Sequence, residues 1–197
     1  MARIPLDTTR ASIPARLAAR FSRRRLGRVA DPLAAWAHHT GVLIALIRLE
    51  MRVQRWRRLD PTLQALAVMA PASRIGCAWC MDFGYWEFHH RRVDPGKLEE
   101  VTHWRTSAVY TDLERLVLEY ADAMTDTPPT VTDELVARLR EHLSEAQLVE
   151  LTAIVAVENL RSRINSALGL TSQGFKDRCE IPASATGAGT AAGQRLE

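Results

Sequence analysis

An all-α fold is what this sequence predicts, on three observations. Apolar residues recur at helical spacing through most of the 197 residues, and a helix-starting signal precedes nearly every such stretch. No segment alternates apolar and polar residues between turn residues as a strand would. Taken in order, Pro14 suits a first helical turn, with Leu17 and Phe21 four apart on one face. Asp31-Pro32 opens a long helix toward Trp56. Asp60-Pro61 opens another, with the stripe Leu63, Leu66, Ala67 and Ala70, before Pro71 interrupts it. A helix over Cys77 to about His90 follows, and Asp94-Pro95 starts a short one. Thr111-x-x-Glu114 is a capping box ahead of Leu113, Leu116, Val117, Tyr120 and Ala121, and Pro128-Pro129 ends that helix. Thr130 or Thr132 caps a helix whose buried edge is Leu135, Leu139 and Leu143. Ser144-x-x-Gln147 is a second capping box, and its helix runs to Leu168, with Gly169 as a left-handed stop.

The length suits one domain, large enough to bury a core without disulfide or metal staples. Three cysteines exclude a secreted disulfide scaffold and point to a reducing cytoplasm. The longest apolar run, Gly41 to Ile47, is far short of the roughly 20 residues of a membrane span, so no membrane span is expected. The net charge of +3 is divided unevenly: residues 1–60 hold 13 arginines against four acids, and residues 61–197 are net acidic. The basic run Arg23-Arg24-Arg25, with Arg16, Arg20 and Arg28, could attract phosphates or an anionic membrane. It carries no nucleic-acid motif and no interleaved aromatics, so a solvated helix face or an arm docked on acidic protein is favoured over nucleic acid. Asp31-Pro32 also interrupts the apolar stretch that a twin-arginine export signal would need. From Pro182 onward the composition is too poor in large apolar residues to order itself. The expected organisation is a basic helical extension over 1–58 packed on a core over 59–175, then a disordered tail over 176–197.

The sharpest chemical signal is Cys77-Ala78-Trp79-Cys80 at a helix start. Thiols at this spacing can close an internal disulfide, and the N–H groups and dipole of a helix N-terminus stabilise a thiolate. A thiolate attacks a peroxide or a disulfide, and the second thiol resolves the product. Three other readings stand beside this one. Zinc would need more ligands, for which Cys179 and the pair His89-His90 are the candidates. A thioredoxin-type domain would need strands around the motif. Two buried thiols can also be small core hydrophobes.

The stretch Ile75-Gly76-Cys77-Ala78-Trp79-Cys80-Met81-Asp82 resembles the core of the carboxymuconolactone decarboxylase family, in its AhpD-type alkylhydroperoxidase branch. Further resembling segments follow in order: Thr106 to Arg115, Tyr120 to Thr125, Leu139 to Glu145, and Asn159-x-x-x-Arg163-Ile164-Asn165. The resemblance covers about residues 60–170. It implies an AhpD-like helical domain assembled as a trimer or hexamer, with Cys80 as the attacking thiol and Cys77 as the resolving one.

Two positions depart from the family pattern. Where the family's active branch has a histidine, four residues after the second cysteine, this chain has Gly84. Where it has a glutamate, twelve residues before the first cysteine, this chain has Ala65, beside Gln64. Those groups form the family's proton relay. Glu87 lies two turns beyond Cys80 on the same face, about 10 Å away, too far for direct proton transfer. His89 and His90 are further still and read as solvent-facing or structural. Glu158 continues the spacing Leu151, Val155, Glu158, so it is a candidate buried base with a raised pKa; its alternative is a salt bridge to Arg161 or Arg163. Asn159 and Asn165 read as braces of neighbouring backbone.

The sequence therefore points to an alkylhydroperoxidase-like thiol oxidoreductase with Cys80, Cys77 and Glu158 as catalytic candidates. Trp79, Gly84, Glu87 and Asn159 are the expected pocket. The substrate would be a hydroperoxide or a disulfide, and electrons would come from a thiol reductant or redox protein, with no metal or organic cofactor. The alternatives are a helical oligomer that binds or builds without catalysis and a lactone decarboxylase, though the latter does not rely on a CxxC pair.

Overall fold

The computed structural model describes residues 2–9 and 11–179. Nine α-helices account for most of them: α1 Ile13–Leu26, α2 Asp31–Trp36, α3 Thr40–Val53, α4 Pro61–Ile75, α5 Ala78–His90, α6 Pro95–Glu99, α7 Asp112–Thr125, α8 Asp133–Arg140 and α9 Glu145–Ala167. Short 3-10 helices cover Glu100–His103 and Lys176–Arg178, and there is no strand among the described residues.

The starts follow the capping chemistry written in the sequence. Asp60 accepts the Thr62 N–H at 2.7 Å, and Thr132 accepts the Leu135 N–H at 3.2 Å. Both capping boxes close: Thr111 with Glu114, and Ser144 with Gln147. Gly27, Gly76 and Gly169 all follow helices with positive φ, the conformation that a left-handed stop needs.

Helix α4 is the centre of the molecule, packed by α5, α7 and α9. Ala65, Leu66, Ala67 and Met69 are essentially inaccessible, as are Val117, Leu118, Leu151 and Val155 on the facing helices. Pro71 was expected to interrupt α4, yet the helix continues to Ile75 through it. Pro71 and its neighbours Met69, Ala70 and Ala72 are all buried, so packing on several sides outweighs the lost hydrogen bond.

The first 58 residues differ from expectation in one respect. The long helix foreseen from Asp31 toward Trp56 is two helices, α2 and α3, because the chain breaks at His38–His39 and restarts with His39 Nδ1 accepting the Val42 N–H at 3.2 Å. Helix α1 turns Ala15, Ala19 and Ser22 inward, packing on α2 and α3, and leaves Ile13, Leu17 and Phe21 more than 60% exposed. Ala15, Ala37 and Leu43 form a small core of their own. Polar contacts tie this segment to the far end of the chain. Arg3 donates to the carbonyls of Ser166 and Ala167, Arg28 donates to the Gln173 carbonyl, and Gln173 Oε1 accepts the Asp31 N–H at 2.9 Å.

A tail starting at 176 is corrected at its first residues: Lys176–Arg178 is helical, Phe175 is fully buried, and Asp82 accepts the N–H groups of Gln173 and Lys176. The remainder of that tail, residues 180–197, lies outside the described residues. No helix among the described residues is long and apolar enough to cross a membrane.

Candidate active site

Gly76 ends α4, and one residue later Cys77 caps α5, its sulfur accepting the Cys80 N–H at 3.2 Å. That tight corner brings the two cysteine Cα atoms to 5.3 Å, and the sulfurs are joined as a disulfide. Cys77, Cys80 and Ala72 form a small apolar cluster of their own, against Trp79 and Met81. Both cysteines are buried, Cys80 at 5% exposure and Cys77 at 1%.

Helix α9 supplies the polar environment of Cys80. Ser162 Oγ lies 3.4 Å from Cys80 Sγ and 2.7 Å from Glu158 Oε1, and Asn165 Nδ2 lies 3.4 Å from the same sulfur. All three residues are buried. Positions 158, 162 and 165 fall on one helical face, which is why one helix delivers all three to one point. Ser162 carries one hydroxyl proton and two lone pairs. With its proton on the Glu158 carboxylate, it offers a lone pair to a thiol; with Glu158 protonated, it can donate to a thiolate.

Burial pushes the Glu158 carboxyl up to about 7, against the opposing pull of Arg161 and the hydrogen bond from Ser162. Its other oxygen, Oε2, meets Arg161 at 3.2 Å, and Arg161 also grips both carboxylate oxygens of Glu50 on α3 at 2.6 and 2.8 Å. Glu158 is thus both buried and paired with Arg161. Arg163 points elsewhere, to the Thr125 carbonyl and the Thr127 hydroxyl.

Trp79 packs on the cysteine pair, while the polar contacts of the other candidate residues, like its own indole N–H, are made away from Ser162 and Glu158. Trp79 donates its indole N–H to Gln173 Oε1 at 2.8 Å and stacks on Phe83 at 4.9 Å, beside Phe175. Asn159 braces Thr125 Oγ1 and the Val155 carbonyl. Glu87 is part-buried, and its charge acts on Arg91, the residue that caps the C-terminus of α5. Gly84 is filled rather than open: a Cβ there would lie 2.6 Å from Met69 Sδ. Met69 thus occupies the space that a side chain at the family's histidine position would use. Ala65 is fully buried, and neighbouring Gln64 bonds to Glu150 and Arg91, away from the sulfurs.

Ser162 is the site residue that sequence reasoning missed. Its signal was available in the polar series 158, 162 and 165 on an otherwise apolar helix face. Glu50 was missed as well, because no periodicity links α3 to α9.

Comparison with known proteins agrees with this architecture. The family profile described as carboxymuconolactone decarboxylase family matches residues 41–123. The Escherichia coli protein YnjA, itself uncharacterized, is 36% identical over 161 residues, 81% of this chain and 87% of that one. The crystal structure of an alkylhydroperoxidase AhpD core, an uncharacterized peroxidase-related protein from Ralstonia eutropha, superposes with a TM-score of 0.81 at 17% identity, covering 92% of this chain and 97% of that one. A putative antioxidant defence protein AhpD from Agrobacterium tumefaciens gives a TM-score of 0.66 at 26% identity over 70% of this chain and 94% of that one. The matched residues include the Cys77–Cys80 corner, and the helical architecture around it is shared with those structures. The chain therefore belongs to the carboxymuconolactone decarboxylase family and has the AhpD-like all-helical fold.

Proposed function

We propose that this protein is a thiol oxidoreductase that reduces a hydroperoxide with the Cys77/Cys80 dithiol and moves protons through Ser162 and Glu158. The observation that carries the reading is the chain of contacts from Cys80 Sγ through Ser162 Oγ to Glu158 Oε1. A disulfide-forming pair in this fold is compatible with thiol redox chemistry.

In the reduced protein, Cys80 passes its proton to Ser162 as Ser162 passes its own to Glu158. Asn165 Nδ2 and Ser162 stabilise the resulting thiolate. The thiolate attacks the terminal peroxide oxygen; the O–O bond breaks, and the departing alkoxide takes up a proton to leave as an alcohol. Cys80 is then a sulfenic acid. The Cys77 sulfur attacks it, water departs, and the disulfide forms. The balance is two thiols and ROOH giving one disulfide, ROH and water. An external thiol then restores the pair by exchange, taking the oxidising equivalents away. A carboxyl near 7 is suited to accepting and returning one proton per cycle.

The test is stopped-flow oxidation of the reduced protein by an organic hydroperoxide, followed through Trp79 fluorescence. The expected result is fast disulfide formation that Cys80→Ser abolishes and Ser162→Ala slows. A rate equal to that of a free thiol at the same pH would sink the proposal and leave a non-catalytic binding or structural role.

A further inference from the structure

We propose that His89, His90 and Cys179 form a binding site for a divalent cation of the zinc class, which fastens the C-terminal segment to the end of α5. Between them these residues offer two imidazole nitrogens and one sulfur, all within 4.8 Å of one another. The site stands apart from the dithiol: nine to ten helical residues separate Cys80 from the histidines, about 14 Å along α5.

The donor set selects the ion. One thiolate and two neutral imidazoles suit zinc and similar borderline or soft cations, while magnesium and calcium want oxygen. In a tetrahedral zinc site the ligand atoms stand roughly 3.3–3.8 Å apart. The present spread needs about an ångström of closure, which the exposed His90 and half-buried His89 and Cys179 can supply. Three protein ligands leave a fourth position for water.

Local structure prepares the ligands. Adjacent helical side chains diverge by about 100°, so two consecutive histidines need a third group brought between them from another element. Cys179 arrives there because the preceding residues are fastened: Phe175 is buried, and Asp82 holds the N–H groups of Gln173 and Lys176 at 2.8 and 2.7 Å. His90 Nδ1 lies 2.7 Å from the Trp86 carbonyl, which sets the proton on Nδ1 and leaves Nε2 with the lone pair. Trp86 packs against the His90 ring at 4.5 Å and Tyr85 against the His89 ring at 6.0 Å, an aromatic wall that restricts ring rotation. Two cations of the C-terminal segment are directed elsewhere: Lys176 lies 3.5 Å from Glu99, and Arg178 donates to the Leu26 carbonyl. A cation joining these ligands would couple the last described turn of the chain to the helix that begins with the redox pair.

The experiment uses the full chain carrying Cys77→Ser and Cys80→Ser, so that Cys179 is the only thiol, and titrates Zn2+ alone and Co2+ alone. We expect one ion per chain, an absorption band in the near ultraviolet reporting a cobalt–thiolate bond, and slower proteolysis within residues 171–179 when zinc is added. Cys179→Ser and His90→Ala should each weaken zinc binding by about 100-fold or more, as loss of one of three ligands does. The same measurements on the disulfide form of the unmutated chain should agree, because Cys77 and Cys80 are then unable to ligate. Binding that survives Cys179→Ser unchanged, or a cobalt complex lacking the thiolate band, or no saturable binding, would each overturn the site. None of these outcomes bears on peroxide reduction, which is read separately.

Discussion

Ser162 stands between Glu158 and Cys80, 2.7 Å from the carboxylate and 3.4 Å from the sulfur, so one hydroxyl can relay a proton between two groups that do not touch. Replacing it with alanine removes the relay while changing little volume in the core. Peroxide-driven disulfide formation should slow by about 100-fold in Ser162→Ala, the ordinary worth of a positioned acid–base group. Thermal unfolding measured alongside should show a native fold; an unchanged rate would mean that the hydroxyl carries no proton.

The rate of Cys80 oxidation should rise with pH through about 7, as Glu158 loses its proton and becomes able to accept one from Ser162. Glu158→Gln should be slow at every pH and lack that inflection. The linkage to stability has a definite sign. Folding raises this carboxyl above its ordinary 4.5, so its contribution favours the fold at low pH and is lost between 4.5 and about 7. A pH–rate profile for both proteins checks the first point, and denaturant melts across that window check the second.

Glu50 reaches the relay indirectly by holding Arg161, which also touches Glu158. In Glu50→Gln, a negative charge that raises the Glu158 pKa is gone and Arg161 is free to pair more closely with Glu158. Both effects move the inflection of the pH–rate profile to lower pH. An inflection that stays put, or rises, would show that α3 has no hold on the site.

Gly84→His would restore the residue type of the family's relay, yet here it meets Met69 Sδ in a closed core. Overpacking of this kind costs about 1–3 kcal/mol, so the melting temperature should fall by several degrees for a chain of this size. Adding Met69→Ala should recover part of the loss by opening the space. Differential scanning calorimetry on the single and double variants decides whether Met69 is what closes the position.

Asp82 holds the C-terminal segment by accepting the N–H groups of Gln173 and Lys176. Hydrogen bonds from that segment together outweigh the effect of burial and keep its carboxyl below the ordinary value. A depressed pKa means that this attachment is intact above the ordinary 3.8 and is lost as pH falls through the lower folded value. Asp82→Ala should loosen residues 171–179 at neutral pH, read as faster backbone hydrogen exchange there, with α4, α7 and α9 unaffected.

Much of the fold was legible because capping and periodicity are local. Asp60, Thr111, Thr132 and Ser144 each satisfy N–H groups within three residues, and Gly76 and Gly169 adopt the one backbone conformation that ends their helices. The cysteine pair and the candidacy of Glu158 were equally visible, since four-residue motifs and helical spacing survive in one dimension. Pro71 misled because its cost is local while the burial that overrides it comes from the rest of the fold. Leu17 and Phe21 share one face of α1 as their spacing says, but spacing does not state which neighbour a face meets; that face is exposed, and the small residues Ala15 and Ala19 are the buried ones. The Ser162 link, the Arg161–Glu50 clamp and the convergence of Cys179 on His89 and His90 join residues between 4 and 111 positions apart. Distances across a core are set by how whole helices pack, and that packing is the part of this protein that only its tertiary structure decided.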